Sequence, residues 1–271
     1  MSGKRVLFLW LAPLALFSGL FLALPLVRLV ASSASGDQGF GIYATVLSSP
    51  RYLQTLLNTL WISALVTVFA LLIASTAGLF LARQRFLGRS LLISMLTFPL
   101  AFPGVVIGFL IILLGGRQGL VNDISKDLFG TTAVFAYSSF GLFLGYLYFS
   151  IPRVLLTVMA AAEKLDRDLE DAARSLGASP FRVTVDVILP GLAPALIASG
   201  AIVFATAMGA FGTAFTLATK IDVLPMAIYT EFTLAANVAM ASALSVLLGI
   251  VTWATLLVAR YFAGNTAAAA G

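Results

Sequence analysis

Six long apolar stretches separated by short polar ones set the pattern of this chain. They cover residues 6–27, 55–82, 90–115, 132–162, 191–211 and 238–262. Each reaches the roughly 20 residues that cross a bilayer as a helix. The first follows Lys4 and Arg5, and a cleavable leader is one reading, with small residues at 31–35 as its cleavage site. A leader core is only about 7–15 residues, so a retained first helix is expected. Residues 32–51 then form an external loop. The third stretch holds Pro99 and the pair Pro103–Gly104, which predict a bent or broken helix. Broken helices persist in a membrane only where protein or a water-filled cavity satisfies the freed backbone; a structural kink is the plainer alternative. Residues 116–130 read as a polar loop and 212–235 as a mixed segment. The fourth stretch is too long for a simple span, so its end should protrude into water.

Residues 163–190 break the pattern. They carry Glu163, Lys164, Asp166, Arg167, Asp168, Glu170, Asp171, Arg174, Arg182 and Asp186, which cannot sit in hydrocarbon. Leu165, Leu169, Ala172 and Leu176 fall on one helical stripe. Glu170 and Arg174 form an i,i+4 pair on the other face. Gly177 is placed for a left-handed C-terminal cap, and Ser179–Pro180 for an N-cap followed by proline at the first helical position. The expectation is two short helices joined at Gly177 at the membrane edge. A helix lying flat on lipid is the competing reading, but such helices favour a basic polar face and this stretch is rich in acids.

Composition agrees. The chain has 271 residues, 61% of them hydrophobic and 10% charged, with a mean hydropathy of +1.05. This is an all-α integral membrane protein with lipid around it. It contains no cysteine or histidine, so disulfides, Cys/His metal sites and histidine-dependent catalysis are excluded. The net charge of +5 is spent on orientation, not on nucleic acid. With the amino terminus inside, ten basic residues are cytoplasmic (Lys4, Arg5, Arg83, Arg85, Arg89, Lys164, Arg167, Arg174, Arg182, Arg260). Five are external (Arg28, Arg51, Arg117, Lys126, Lys220), with Arg153 uncounted. That bias follows the positive-inside rule, places both termini inside and puts the charged stretch in the cytoplasm.

The stretch also has a recognisable spacing. Asp171, Ala172 and Ala173, then three residues, Gly177, nine residues and Val187–Ile188–Leu189–Pro190 resemble the EAA loop of membrane subunits of binding-protein-dependent ABC importers. Asp171 stands where the family has Glu, and Val187 where it often has Ile. The resemblance runs from about residue 52 to 260. It implies a type I ABC importer permease fold with six transmembrane helices and cytoplasmic coupling helices. By it, residues 1–51 are an added helix and external loop, 52–262 the permease domain and 263–271 a tail, whose Ala-rich residues 266–271 are expected to fray. The implied subunit is not an enzyme and carries no cofactor. ATP is bound by a cytoplasmic ATPase dimer that docks on Leu169, Glu170, Asp171, Ala172, Ala173, Gly177, Ala178 and Pro190. The further partners are a second permease, expected to be a different chain, and an external substrate-binding protein. The setting is the inner membrane.

Phrases such as 172–179 are similar to the polyamine branch of that family, so spermidine or putrescine is the expected cargo, although branches for ferric iron, thiamine, phosphonate and molybdate look much alike. Candidate pathway residues are Tyr137, Tyr146, Tyr148 and Phe149, whose faces can hold an ammonium, with Pro99 and Pro103 at the helix break. Arg153 pulls the other way. Facing the cavity, it would favour an anion; alternatively it snorkels to the surface. A secondary transporter is disfavoured because the expected spans hold no Asp or Glu. A membrane-embedded enzyme lacks any catalytic grouping.

Overall fold

The computed structural model describes residues 3–217 and 222–269, and they are helical nearly throughout. Lys220, expected outside, lies beyond the described residues. The elements are α1 Gly3–Ser18, α2 Leu24–Ser33, α3 Ile42–Ser48, α4 Pro50–Arg83, α5 Arg89–Thr97, α6 Gly104–Gly115, α7 Leu120–Phe129, α8 Ser139–Ala162, α9 Arg167–Ser175, α10 Pro180–Val183, α11 Leu189–Met208, α12 Phe211–Leu217, α13 Leu224–Tyr229 and α14 Val238–Ala269. Among the described residues, six helical stretches are long and apolar enough to cross a membrane: Trp10–Ser33, Pro50–Arg83, Gly104–Phe129, Ser139–Ala162, Pro180–Met208 and Val238–Ala263.

The core is built on α4 and α8 packed side by side, with α11 and α6 against them. On α4 the inward stripe is Thr59, Ser63, Val66, Ala70, Ala74, Gly78 and Leu81. Small residues one turn apart let two helices approach closely, which is how packing holds helices together where lipid removes the hydrophobic drive. At Gly78 a methyl group would stand 3.1 Å from the Leu155 carbonyl oxygen and 3.2 Å from Val158 Cβ. Of the six spans α8 is the most enclosed, with 56% of its apolar window buried, whereas Trp10–Ser33 has 0%. That first span lies at the periphery, where α2 packs on α14.

The break expected in the third apolar stretch is present, and several other expectations need correction. The third apolar stretch is two helices. Pro99 opens a 3₁₀ turn at Phe98–Ala101, and Phe102 before Pro103 is extended at ψ 134°, as a residue preceding proline is forced to be. Pro103 then caps α6. The polar loop at 116–130 contains the helix α7. It is tied down by the buried Asn122, whose Nδ2 donates to the Arg117 carbonyl (2.6 Å) and whose Oδ1 accepts from the Ala133 amide (3.0 Å). The fourth helix starts later than its hydropathy suggests, because the amides of Phe135 and Ala136 both donate to the Gly115 carbonyl. The mixed segment 212–235 contains α12 and α13 and buries Glu231, which accepts from the Tyr52 hydroxyl (2.8 Å) near Arg51 (3.6 Å). The tail expected beyond 262 is helical to Ala269.

The tight α4–α8 contact is testable. Gly78→Leu must push the helices apart, and overpacking of this kind costs about 1–3 kcal/mol. A lowered thermal unfolding midpoint in detergent is expected. Gly249→Leu, which meets nothing within 4 Å, is expected to leave it unchanged.

Candidate functional site

Two regions gather the chemistry. The first is the charged segment after α8. Asp166 caps α9 by accepting from the Asp168 amide (3.0 Å). The helix ends at Gly177, whose φ is +84°. The Gly177 amide donates to the Arg174 carbonyl (2.9 Å) and the Ala178 amide to that of Ala173 (3.1 Å), the bond pair of a Schellman cap. Ser179 then caps the next helix by accepting from the Arg182 amide (3.4 Å).

The stripe read from the sequence divides. Leu165 precedes the helix, because the extended Asp166 interrupts the helical spacing, and it packs inward against Gly191. Leu169, Ala172 and Leu176 point away from the bundle, with Leu176 90% exposed. Ala173 and Ala178 pack on the core, while Asp171 is exposed and pairs with Arg174 (3.0 Å). Glu170 makes the expected i,i+4 pair with Arg174, yet it is drawn out of solvent. It is only 6% exposed and is hydrogen-bonded and ion-paired with Arg83 at the end of α4, with Arg174 at 3.6 Å. Arg89 adds a bond from Nε to the Leu81 carbonyl (2.7 Å) and an ion pair to Glu163 (3.6 Å). The basic cluster after α4 therefore meets the acidic stretch after α8. The two clusters stand about 80 positions apart in the chain, and the signal that joins them is that both follow spans ending on one side.

The second short helix expected after Gly177 is not separate. From α10 the chain widens at Thr184–Ile188, where the Leu189 amide bonds back to the Thr184 carbonyl, and continues into α11 as one stretch, Pro180–Met208. Such a π turn is how a helix absorbs a residue that disturbs its bond ladder, and Pro190 is that residue. Pro190 thus lies inside a helix.

The second region is a cavity of about 240 Å³ beside the break before α6. It is lined by Pro99, Phe102, Gly104, Phe149, Arg153 and Thr206, among others. Pro99, Phe149 and Arg153 are brought together there, and Pro103 adjoins. The three tyrosines are not among its lining residues. Tyr146 is buried, and its hydroxyl donates to the Ala210 carbonyl (2.7 Å). Tyr148 is exposed and Tyr137 packs at the edge of the core. Arg153 does not snorkel free. Its Nη1 is buried without a partner among the described residues, and its guanidinium carbon stands 5.7 Å from the Phe149 ring centre. The two buried carboxylates among the described residues, Glu170 and Glu231, lie elsewhere.

A family model described as binding-protein-dependent transport system inner membrane component matches residues 74–267. The chain is similar to the molybdenum transport system permease protein ModB of Escherichia coli (strain K12), 35% identical over 189 residues, 68% of this chain and 81% of that protein. It is also similar to the sulfate transport system permease protein CysT of Escherichia coli (strain K12), 34% identical over 228 residues, 81% of this chain and 79% of that one. Among solved structures, a chain of the bacterial alginate ABC transporter in complex with an alginate pentasaccharide-bound periplasmic protein shares the fold. The TM-score is 0.82 over 95% of this chain and 93% of that one, at 18% identity.

The Glu170–Arg83 pair predicts a non-additive result. Glu170→Ala strands a nearly buried arginine, which costs about 3 kcal/mol; the expected readouts are a lower unfolding midpoint and faster proteolysis at Arg167. The double change Arg83→Met with Glu170→Met should cost less than Glu170→Ala alone.

Proposed function

The chain belongs to the binding-protein-dependent transport inner membrane components, the permease subunits of ABC importers, and from that membership we propose how it couples and what class of cargo it passes. The family consists of inner-membrane transport proteins, not enzymes, that work with a substrate-binding protein and an ATPase. The segment 163–190 is the part that receives the ATPase. The observation that carries this is the outward apolar face of Leu169, Ala172 and Leu176 on a helix whose other face is pinned by Glu170. A pinned helix with an unfilled apolar face is shaped to be pushed. Movement of α9 would reach α4 through the ion pair, and α11 through the unbroken run from Pro180. ATP-driven closure of the ATPases would thereby rock the spans about a central pathway. A second, different permease completes the membrane part, both termini are cytoplasmic, and the external receptor selects the cargo.

For the cargo, a small oxyanion is the better-supported class. The cavity offers an arginine and no carboxylate, and two similar permeases are named for molybdenum and sulfate. At neutral pH, molybdenum(VI) and sulfate are both tetrahedral oxyanions. The polyamine expectation rested on the similarity of phrases such as 172–179 to one branch of the family, with aromatic faces as the candidate contacts, and three of those four aromatics do not line the cavity.

Three results are expected. Reporter fusions at Gly39 and Asp222 should read outside and those at Arg85 and Ser179 inside; an inside signal at Asp222 would reverse the orientation. Leu176→Asp, at a side chain 90% exposed, should leave the permease's unfolding midpoint unchanged yet abolish co-purification with the ATPase. Gly177→Val should weaken docking through left-handed strain of about 1 kcal/mol or more, and Gly177→Asn less so, since asparagine tolerates that conformation. Full ATPase retention by Leu176→Asp would refute the docking assignment.

A further inference from the structure

We propose that the cavity beside the break before α6 is itself a binding site for a tetrahedral oxyanion, with Arg153 as the residue that contacts it. This rests on the oxyanion reading above and adds a location and a contact to it. Arg153 lies near the middle of α8, the most enclosed span. Ionisable groups at that depth are costly and are normally paired. Here the guanidinium has neither hydrogen-bond nor ion-pair partner among the described residues, although Nη1 is buried. Its neighbour is the Phe149 ring at 5.7 Å, a favourable contact that does not satisfy the N–H donors. No Asp or Glu lines the cavity. The counter-charge missing from the chain is therefore one that arrives and departs.

The surroundings favour the same sign of ligand. The α6 amino terminus begins at Gly104 on the cavity wall. The Gly104 and Val105 amides precede the helix's own bonding ladder, so the end of the helix carries partial positive charge. The two hydroxyls on the wall are already committed. Thr206 Oγ1 donates to the Ile202 carbonyl (2.9 Å) and Thr213 Oγ1 to that of Gly104 (2.9 Å). Thr213, with the Tyr146 bond to Ala210, fixes the wall's shape and leaves recognition to the arginine. The volume of about 240 Å³ is several times the roughly 30 Å³ share of a water molecule in the liquid, room for a small oxyanion with part of its hydration. A single guanidinium in a partly hydrated cavity holds an ion loosely enough to release it, as a pathway requires.

The test is uptake of labelled sulfate and of labelled molybdate by proteoliposomes holding the full complex of permeases, ATPase and binding protein. Wild type is compared with Arg153→Gln and Arg153→Lys. The expected result is at least a tenfold fall in uptake for Arg153→Gln and partial retention for Arg153→Lys, with the complex assembled in both. Titration of sulfate into the delipidated complex without its receptor should show weak binding that Arg153→Gln removes; its absence in wild type would overturn the site. Wild-type uptake by Arg153→Gln would also overturn the site while leaving oxyanion import standing. Dissociation of the permease pair in Arg153→Gln would make the residue an interface ion-pair member and overturn the site too. Failure of wild type to import either ion would bring down the broader reading along with it.

Discussion

The close contact between α4 and α8 is the constraint on which the rest of this structure depends. It exists because Ala70, Ala74 and Gly78 leave no side-chain bulk on the inner face of α4. With the helices together, their ends on one side of the membrane fall together as well. Arg83 and Arg89 then stand beside Glu170 and Glu163. Without that approach the acidic segment would have no anchor on the bundle. With it, α9 is docked on its polar side and open on its apolar side.

The same packing positions the second region. Because α8 is enclosed by α4, α11 and α6, the half-buried Arg153 is held against the cavity with its Nη1 out of contact with water. Arg153 is held beside the only break in the third apolar stretch, where two prolines interrupt the helix and a cavity remains. Coupling segment and cavity thus hang on one helix, α8. Its end leads into the segment proposed to meet the ATPase, and its middle lines the proposed pathway.

Much of this was legible in the sequence. Long apolar runs have one structural solution in lipid, because every backbone group must be bonded internally. The left-handed Gly177 and the Ser179 cap were legible because local chemistry alone determines them. What escaped was tertiary. Glu170 reads as a solvated half of an i,i+4 pair; its principal partner is 87 positions away, and no periodicity reports that. Helix α7 reads as a loop because its burial turns on one residue, Asn122. The start of α8 was misplaced because closure of 135–136 onto Gly115 is stronger than the local hydropathy. Tyr146 looked like a pathway aromatic, but its hydroxyl was needed to hold the link between α11 and α12.

The apolar face of α9, on this reading, is reserved for a protein and not for lipid. The chain contains no cysteine, so a spin label at Leu169→Cys would be unique in this subunit. Its accessibility to a water-soluble nickel relaxant and to lipid-dissolved oxygen can be measured in reconstituted membranes, with and without the ATPase. The expected result is high nickel accessibility alone, lost when the ATPase binds and restored when it is stripped away. High oxygen accessibility that the ATPase leaves unchanged would mean that this face lies in the bilayer, and would contradict the account.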